Sequence, residues 1–524
     1  MSVADTSAGE TGEFSPRRVA GFFFMVVGMF MAILDIQIVA SSIGAIQAGL
    51  SASTEEISWI QTSYLIAEVI MIPMSGWLSR LLSTRYLFVL SAAGFTLMSL
   101  VCATATSIEQ MIVYRALQGF IGGAMIPTVF AAAYGNVFPP GKRTSVSVMI
   151  GLIVTLAPTI GPTLGGYLTD ALSWHWLFLI NIGPGIIVSI AVWLLIDIDE
   201  PDFSLLGKID LAGIGLMAVF LGTLEYVLEE GPRNNWMQDR VIFWLAIACV
   251  ISGAYFIAHI LTREDPIIDL KAYRDPNFAV GSLLSLFLGV ALYGLTYLYP
   301  LFLSEVRDLS ASQIGEIMFV TGLFQFISAP LAGVLSQKMD TRVLIALGFG
   351  MLTFSNYQMF GITWEWGFGE LFWPQVIRGI GLMFCIVPVN TLALGTLPQS
   401  QLKNASGLYN LMRNLGGALG LAVINTVLIQ RIDFHQSRLR EAFQPGRPVT
   451  EQAIAGLQSY IGQTPGIDSH LAALKSFYGL MTREASVMAF ADCFVVLAVC
   501  FGAMLLMMPF LKKPKPMAAG GEAH

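Results

Sequence analysis

Apolar positions in this chain run in unbroken stretches, without the alternation of a half-buried strand or the single stripe of a soluble helix. Taking about 20 apolar residues as one bilayer crossing, the pattern predicts spans near 19–47, 57–79, 86–107, 110–138, 143–169, 174–196, 209–229, 240–262, 277–304, 311–337, 342–363, 369–397, 404–431 and 485–511. Fourteen crossings place both chain ends on one side. The loops of that side hold Arg17, Arg18, Arg80, Arg85, Lys142, Arg143, Lys208, Arg263, Lys271, Arg274, Lys338, Arg342, Lys403, Lys512, Lys513 and Lys515. The opposite short loops hold Arg233, Arg240 and Arg307. The positive-inside rule then makes both termini cytoplasmic; the basic residues after Arg431 do not count, because long translocated segments largely escape the bias.

The pattern repeats itself. Pro73-Met74-Ser75-Gly76-Trp77-Leu78-Ser79 with Thr84-Arg85 is echoed by Pro330-Leu331-Ala332-Gly333-Val334-Leu335-Ser336 with Thr341-Arg342, at a constant offset of 257 positions. Phe138-Pro139 and Lys142 to Ser145 are echoed by Leu397-Pro398 and Lys403 to Ser406. A duplicated six-span unit with two spans inserted between its copies is therefore expected, with a substrate site near the midplane where the copies meet. The expected division is a leader 1–18, a first bundle 19–200, two inserted spans in 201–270, a second bundle 271–511 that includes a long external loop 432–484, and a tail 512–524.

Composition narrows the class. Charged residues are 12% and hydrophobic ones 55%, against roughly 25% charged in a soluble domain, so the bilayer is the first partner. The polar leader Met1 to Arg18 meets the first apolar run without a small-residue cleavage site, so that run is expected to stay as an anchor. A net charge of −7 gives nucleic acid no basic surface to bind. The cysteines Cys102, Cys249, Cys385, Cys493 and Cys500 stand in apolar runs without paired or metal-ligand spacing, so neither a disulfide nor a metal site is expected. No G-x-x-x-x-G-K-[ST] loop is present, which excludes ATP as the direct energy source.

The fifth predicted span carries Pro158, Gly161, Pro162, Gly165 and Gly166 in its second half. Such breakers are tolerated in a bilayer where neighbouring helices satisfy the freed backbone, and small residues four apart let another helix come close. The run Leu156 to Gly166 resembles the antiporter signature of the major facilitator superfamily's fifth helix. Leu34 to Val39, Trp59 to Ser79, Arg115 to Gly119, Trp174 to Asn181, Leu224 to Trp236 and Trp373 to Gln375 resemble the EmrB/QacA-type drug:proton antiporters of that superfamily, most nearly the EmrB branch. The resemblance implies an all-α membrane protein of the major facilitator fold, with two pseudo-symmetric six-helix bundles and two inserted helices. It implies efflux of hydrophobic drugs from the inner membrane in exchange for protons, with no cofactor beyond the proton. It also implies partners, a periplasmic membrane fusion protein of EmrA type and an outer-membrane channel of TolC type. The sequence departs from the family pattern where Arg80 replaces an Asp in the loop after the second span, and where Gln37 and Ala40 replace Thr and Asn in the first.

Ionisable residues inside spans are costly and are functional candidates by default. Asp35 in the first span and Arg115 in the fourth are expected to form the proton-coupling pair, the alternative being a static ion pair between helices. Glu68 shares a polar stripe with Gln61, Tyr64 and Ser75, and serves as a second proton site, a substrate contact or a structural group. Glu225, Tyr293 and Tyr297, together with Gln37, Gln61, Tyr64, Gln118, Asn390, Asn410 and Arg413, are the candidates for the substrate cavity. Arg413 either lines the cavity or ties the halves together, and the two tyrosines either meet ligand or pack helices. Glu229 and Glu230 are expected at the watery end of the seventh span, and Asp492 carries no assignment. Near-balance of acidic and basic candidates, with the family resemblance, favours lipophilic weak acids and neutral drugs over permanent cations.

Two rival functions remain open on the sequence. One is a proton-coupled importer on the same scaffold, disfavoured by the fifth-span signature. The other is a lipid-modifying enzyme, disfavoured because His175, His259, His435, His470 and His524 are scattered. The segment from Ile432 to Glu484 contains the helical stretches HQSRLREAF and HLAALKSFYGLM, divided by Pro445, Pro448 and Pro465. It is expected to be either the adaptor's docking site or a lid on its own mouth.

Overall fold

The computed structural model describes residues 16–135, 137–138, 142–263, 265–444, 446–461 and 468–510. The expectations for most of the leader, for the tail with Lys512, Lys513 and Lys515, and for Pro139, Pro445 and Pro465 lie outside the described residues. Fourteen helices among those described are long and apolar enough to cross a membrane. They are, as spans 1 to 14, Pro16–Ser41, Trp59–Leu82, Thr84–Cys102, Ile108–Tyr134, Arg143–Ala171, Trp176–Leu195, Leu211–Glu230, Arg240–Thr262, Pro276–Glu305, Gln313–Lys338, Thr341–Gly361, Phe368–Leu394, Gln399–Ala442 and Ser469–Leu505. No strand occurs among the described residues. The fold is that of two six-span bundles, spans 1–6 and 9–14, with spans 7 and 8 between them.

Three elements differ from the hydropathy reading. Span 1 stops at Ser41 and a separate short helix, Ile43–Leu50, follows it. The segment 432–484 is mostly helix. Span 13 runs on for 44 residues to Ala442, span 14 starts back at Ser469, and Pro448–Ile461 lies between them. After Arg431 the residues are polar but are good helix formers with no breaker before Pro445, so the helix outlives the hydrophobic pattern. At the foot of this hairpin Asp492 accepts from Arg431 Nε at 2.5 Å and meets His435 Nε2 at 2.7 Å, which gives that acid a structural place. Span 5 is continuous through both prolines.

The bundles meet along span 5 against span 10 and span 2 against span 13, and the duplicated motif explains why. A Cβ on Gly76 of span 2 would stand 2.8 Å from the Lys403 carbonyl oxygen and from Asn404 Cα of span 13, so only glycine allows this approach. Its repeat partner Gly333 on span 10 faces a side chain instead, and a Cβ there would stand 2.6 Å from Val148 Cγ2 of span 5. Small residues at the crossing let the backbones close.

These contacts seal the end of the molecule that carries the basic loops, called here the basic face. Lys403 Nζ pairs with Asp199 and also donates to Ser79 O at 3.0 Å. Asp199 in turn accepts from Thr84 N at 3.0 Å and Thr84 Oγ1 at 3.1 Å. On the other side of the same face Arg143 donates to Gly395 O at 2.9 Å and Ser147 bonds Thr391 at 3.0 Å. A charge lock between the halves therefore exists despite Arg80; its acid comes from the chain after span 6.

The inserted spans are joined at the basic face by Asp210, which caps span 7 through the Gly213 N–H at 2.9 Å and meets His259 Nε2 at 2.8 Å and Arg263 at 3.2 Å. Burial opposes the charge of Asp210, but the Gly213 amide, the His259 ring and Arg263 outweigh it and hold the carboxyl below its usual range.

Two outcomes follow from these contacts. Gly76→Val is expected to hold spans 2 and 13 apart, so a cysteine introduced at the buried Ser79 should become several-fold more reactive to a water-soluble maleimide; unchanged labelling would contradict the seal. Asp210→Ala should lower stability by about 1 kcal/mol, the usual worth of a helix N-cap. Because the folded carboxyl is the more acidic, that difference should be present at neutral pH and vanish as acid protonates Asp210 in both states, which thermal melts across pH would show.

Candidate functional site

Span 1 presents different residues to its two sides, and each side builds one part of the site. Asp35 faces into the first bundle and is completely buried. Arg115 NH1 of span 4 donates to its Oδ2 at 2.6 Å, and the Asn181 amide at the start of span 6 donates to Oδ1 at 2.7 Å. Gln118 reaches Oδ1 at 3.4 Å, accepts from Arg115 NH1 at 2.7 Å and donates to Ser99 Oγ at 2.8 Å. Helical spacing puts Arg115 and Gln118 on one face, so one helix supplies both the cation and the amide that orients it. The guanidinium lies 4.2 Å over the Tyr64 ring, a cation–π contact. Its Nε and NH2 have no hydrogen-bond partner among the described residues.

The second bundle holds the counterpart without the acid. Arg378 of span 12 is as deeply buried as Arg115 and stacks 4.5 Å from the Tyr299 ring, yet it donates to Thr321 Oγ1 at 2.9 Å and to the Leu295 carbonyl at 3.3 Å. Thr321 stands 257 positions after Tyr64. The second bundle thus holds its buried cation with neutral acceptors, and among the described residues the fully buried aspartate–arginine pair lies in the first bundle.

The opposite side of span 1 borders a cavity of about 400 Å³ between the bundles. Its walls are Gln37 and Ala40 of span 1, Gln61 and Leu65 of span 2, Pro162 of span 5, Glu225 and Glu229 of span 7, Tyr293 and Tyr297 of span 9, and Asn414 and Ala418 of span 13. It reaches toward the face opposite the seal, where Ser304, Leu309 and Ile314 line it. The fifth-span glycines hold this wall: Gly161 and Gly165 press on span 1, and a Cβ at Gly165 would stand 2.7 Å from the Ile38 carbonyl oxygen. Pro162 faces the cavity, Pro158 is buried and Gly166 half-buried.

Glu68 lies between the two parts. It is 1% exposed, Asn414 of the other bundle stands beside it, and its Oε2 has no hydrogen-bond partner among the described residues. Glu68 and Asn414 thus bring spans 2 and 13 together at the cavity's edge.

Of the expected cavity residues, Gln37, Gln61, Glu225, Tyr293 and Tyr297 line it. Five do not, and each is occupied elsewhere. Tyr64 lies under Arg115 and Gln118 belongs to the Asp35 cluster. Asn390 accepts from Tyr409 Oη at 2.6 Å, while Asn410 bonds Ser406 O and Arg413, whose guanidinium lies 5.0 Å from the Phe130 ring. Arg413 therefore reaches toward spans 4 and 13 rather than into the cavity. Sequence reading missed Asn181, Asn414 and the cavity position of Glu229. A polar residue in an otherwise greasy run marks each of them, but the partner is distant in sequence.

A closed face, a cavity between matched bundles, and buried carboxylates beside it define a membrane transporter rather than an enzyme. The profile described as the Major Facilitator Superfamily matches residues 25–421. The chain is 42% identical over 502 residues to the colistin resistance protein EmrB of Acinetobacter baumannii, covering 95% of this chain and 98% of that one. It is 29% identical over 494 residues to the multidrug export protein EmrB of Escherichia coli K12, covering 94% and 95%. The crystal structure of the human organic anion transporter MFSD10 superposes with a TM-score of 0.60 at 13% identity, over 94% of this chain and all of that one, which speaks for the fold. This chain belongs to the Major Facilitator Superfamily, in its EmrB-type group.

Breaking a buried pair by removing one partner typically costs about 3–5 kcal/mol, because a charge is left uncompensated. Arg115→Ala should therefore lower stability in detergent by that order, and Asp35→Ala/Arg115→Ala by less than the sum of the two single losses. Strictly additive losses in the double-mutant cycle would show that the two side chains are not coupled.

Proposed function

We propose that this protein exports hydrophobic compounds across the bacterial inner membrane in exchange for protons. Both termini then lie in the cytoplasm, as the lysine and arginine distribution favours. The observation that carries the reading is the half-enclosed cavity, which reaches away from the sealed basic face: in this orientation it is the site in its outward-directed state. Similarity to proteins named for multidrug export and colistin resistance supports the direction. Asp35 carries the proton and Arg115 is its modulator. Protonation of Asp35 releases Arg115, and span 4, which holds the freed guanidinium, moves relative to span 1. Glu68, beside Asn414 of the other bundle, passes that change to the interface. As an exporter of the EmrB type it works with a periplasmic membrane fusion protein and an outer-membrane channel. The extensions of spans 13 and 14 with the helix Pro448–Ile461 between them, which expose Val449, Tyr460, Leu471 and Tyr478, are the adaptor's landing surface.

Reconstitution in liposomes tests this. With a neutral hydrophobic dye inside, wild-type protein should move protons in step with dye exit, and Asp35→Asn should abolish the proton movement while dye still binds. Proton movement unchanged in Asp35→Asn would overturn the assignment of that carboxyl.

A further inference from the structure

We infer that span 7, the inserted helix, supplies the charged end of the substrate site through Glu225 and Glu229, and that the site takes hydrophobic organic cations. The inference rests on the cavity being the substrate site of the proposed exporter, and it goes beyond that reading by assigning the substrate's charge. Glu225 is 5% exposed, lines the cavity, and has neither a hydrogen-bond donor nor an ion-pair partner among the described residues. A buried carboxylate in a mostly apolar cavity without a partner is unfavourable, and an entering cation relieves that cost. Glu229 lies one helical turn further on the same wall, so the two acids form a short acidic track.

The surrounding groups fit the same ligand. Among the described residues no lysine, arginine or histidine lines the cavity. Arg413 is turned toward Phe130 and Asn410, and Arg233, beyond Glu229, is exposed. Tyr293 and Tyr297, one turn apart on span 9, offer ring faces to an onium group. A cavity of about 400 Å³ suits a drug-sized compound, and no cluster of three metal-ligating side chains occurs among the described residues. Span 7 is also anchored to both halves: Thr62 Oγ1 of span 2 donates to Glu230 at 3.3 Å, and Trp236 Nε1 just beyond the span donates to Thr426 Oγ1 of span 13 at 3.0 Å. Its carboxylates are thereby held at the gap between the bundles instead of being free to turn to lipid. The weak-acid preference expected from sequence counted Arg413 as a cavity residue, and that count no longer holds.

Tetraphenylphosphonium and tetraphenylborate have nearly the same shape and opposite charge, so calorimetric binding of each to the purified full chain isolates the sign. Wild type should favour the phosphonium, and the ratio of the borate to the phosphonium dissociation constant should fall by about tenfold or more in Glu225→Gln/Glu229→Gln, roughly 1.4 kcal/mol. Comparing ratios cancels partition into the micelle. Glu225→Asp/Glu229→Asp, which keeps the charges, should retain most of the preference and guards against a loss due to misfolding. An unchanged ratio in the glutamine variant, or the same loss in the aspartate variant, overturns the inference. A protein that exports a neutral dye but shows no charge-dependent preference keeps the export reading and loses this one. One that prefers phosphonium yet moves no compound against a proton gradient keeps the cation site and loses export.

Discussion

Asp35 and Arg115 are both wholly buried, and each is tolerable there because of the other. A charge in the hydrocarbon needs a partner or a pocket of donors, and the first bundle is arranged to meet that need. Span 4 brings the guanidinium and Gln118, span 6 brings the Asn181 amide, and span 2 lays the Tyr64 ring beneath the cation. Four helices are thus oriented by one carboxylate. Any movement that separates span 1 from span 4 has to break that pair or carry it along.

The rest of the molecule divides into a closed end and a hollow end. Close backbone approach at Gly76, the Lys403–Asp199 pair and the Arg143 contact to Gly395 hold the basic face shut. Toward the other face the same two bundles diverge around the cavity, with span 7 bridging the gap on one side. Glu68 and Asn414 stand where the closed and hollow parts meet, one from each bundle.

The two bundles are copies that have diverged where chemistry is concerned. Gly76 and Gly333 both stand at a crossing with the neighbouring bundle, Gly76 against backbone and Gly333 against the Val148 side chain. Arg115 and Arg378 are both buried cations over tyrosine rings, but only the first faces an acid. The asymmetry is one of charge: the first bundle buries an ion pair, the second a cation held by neutral acceptors.

Hydropathy alone was enough to read fourteen crossings and the duplication, because twenty apolar residues in a row have only the bilayer as solvent, and a small-residue motif repeated at a constant offset has to recur in space. It also singled out Asp35, Arg115, Glu68 and Glu225, since a charge inside a span stands out whatever surrounds it. Which way each of them points was not legible. Tyr64, Gln118, Asn390, Asn410 and Arg413 share polar character with the true cavity residues, and a helix hydrophobic on nearly all sides has no stripe to say which face turns inward. Rotation is settled by packing between helices far apart in the chain, as when Asp199 takes the place of a missing loop acid or Asn181 reaches Asp35 across 146 positions. Local composition states what a span can tolerate; contacts between distant segments choose the partner, because the energy that orients a side chain in a bilayer comes from the one donor or acceptor it meets.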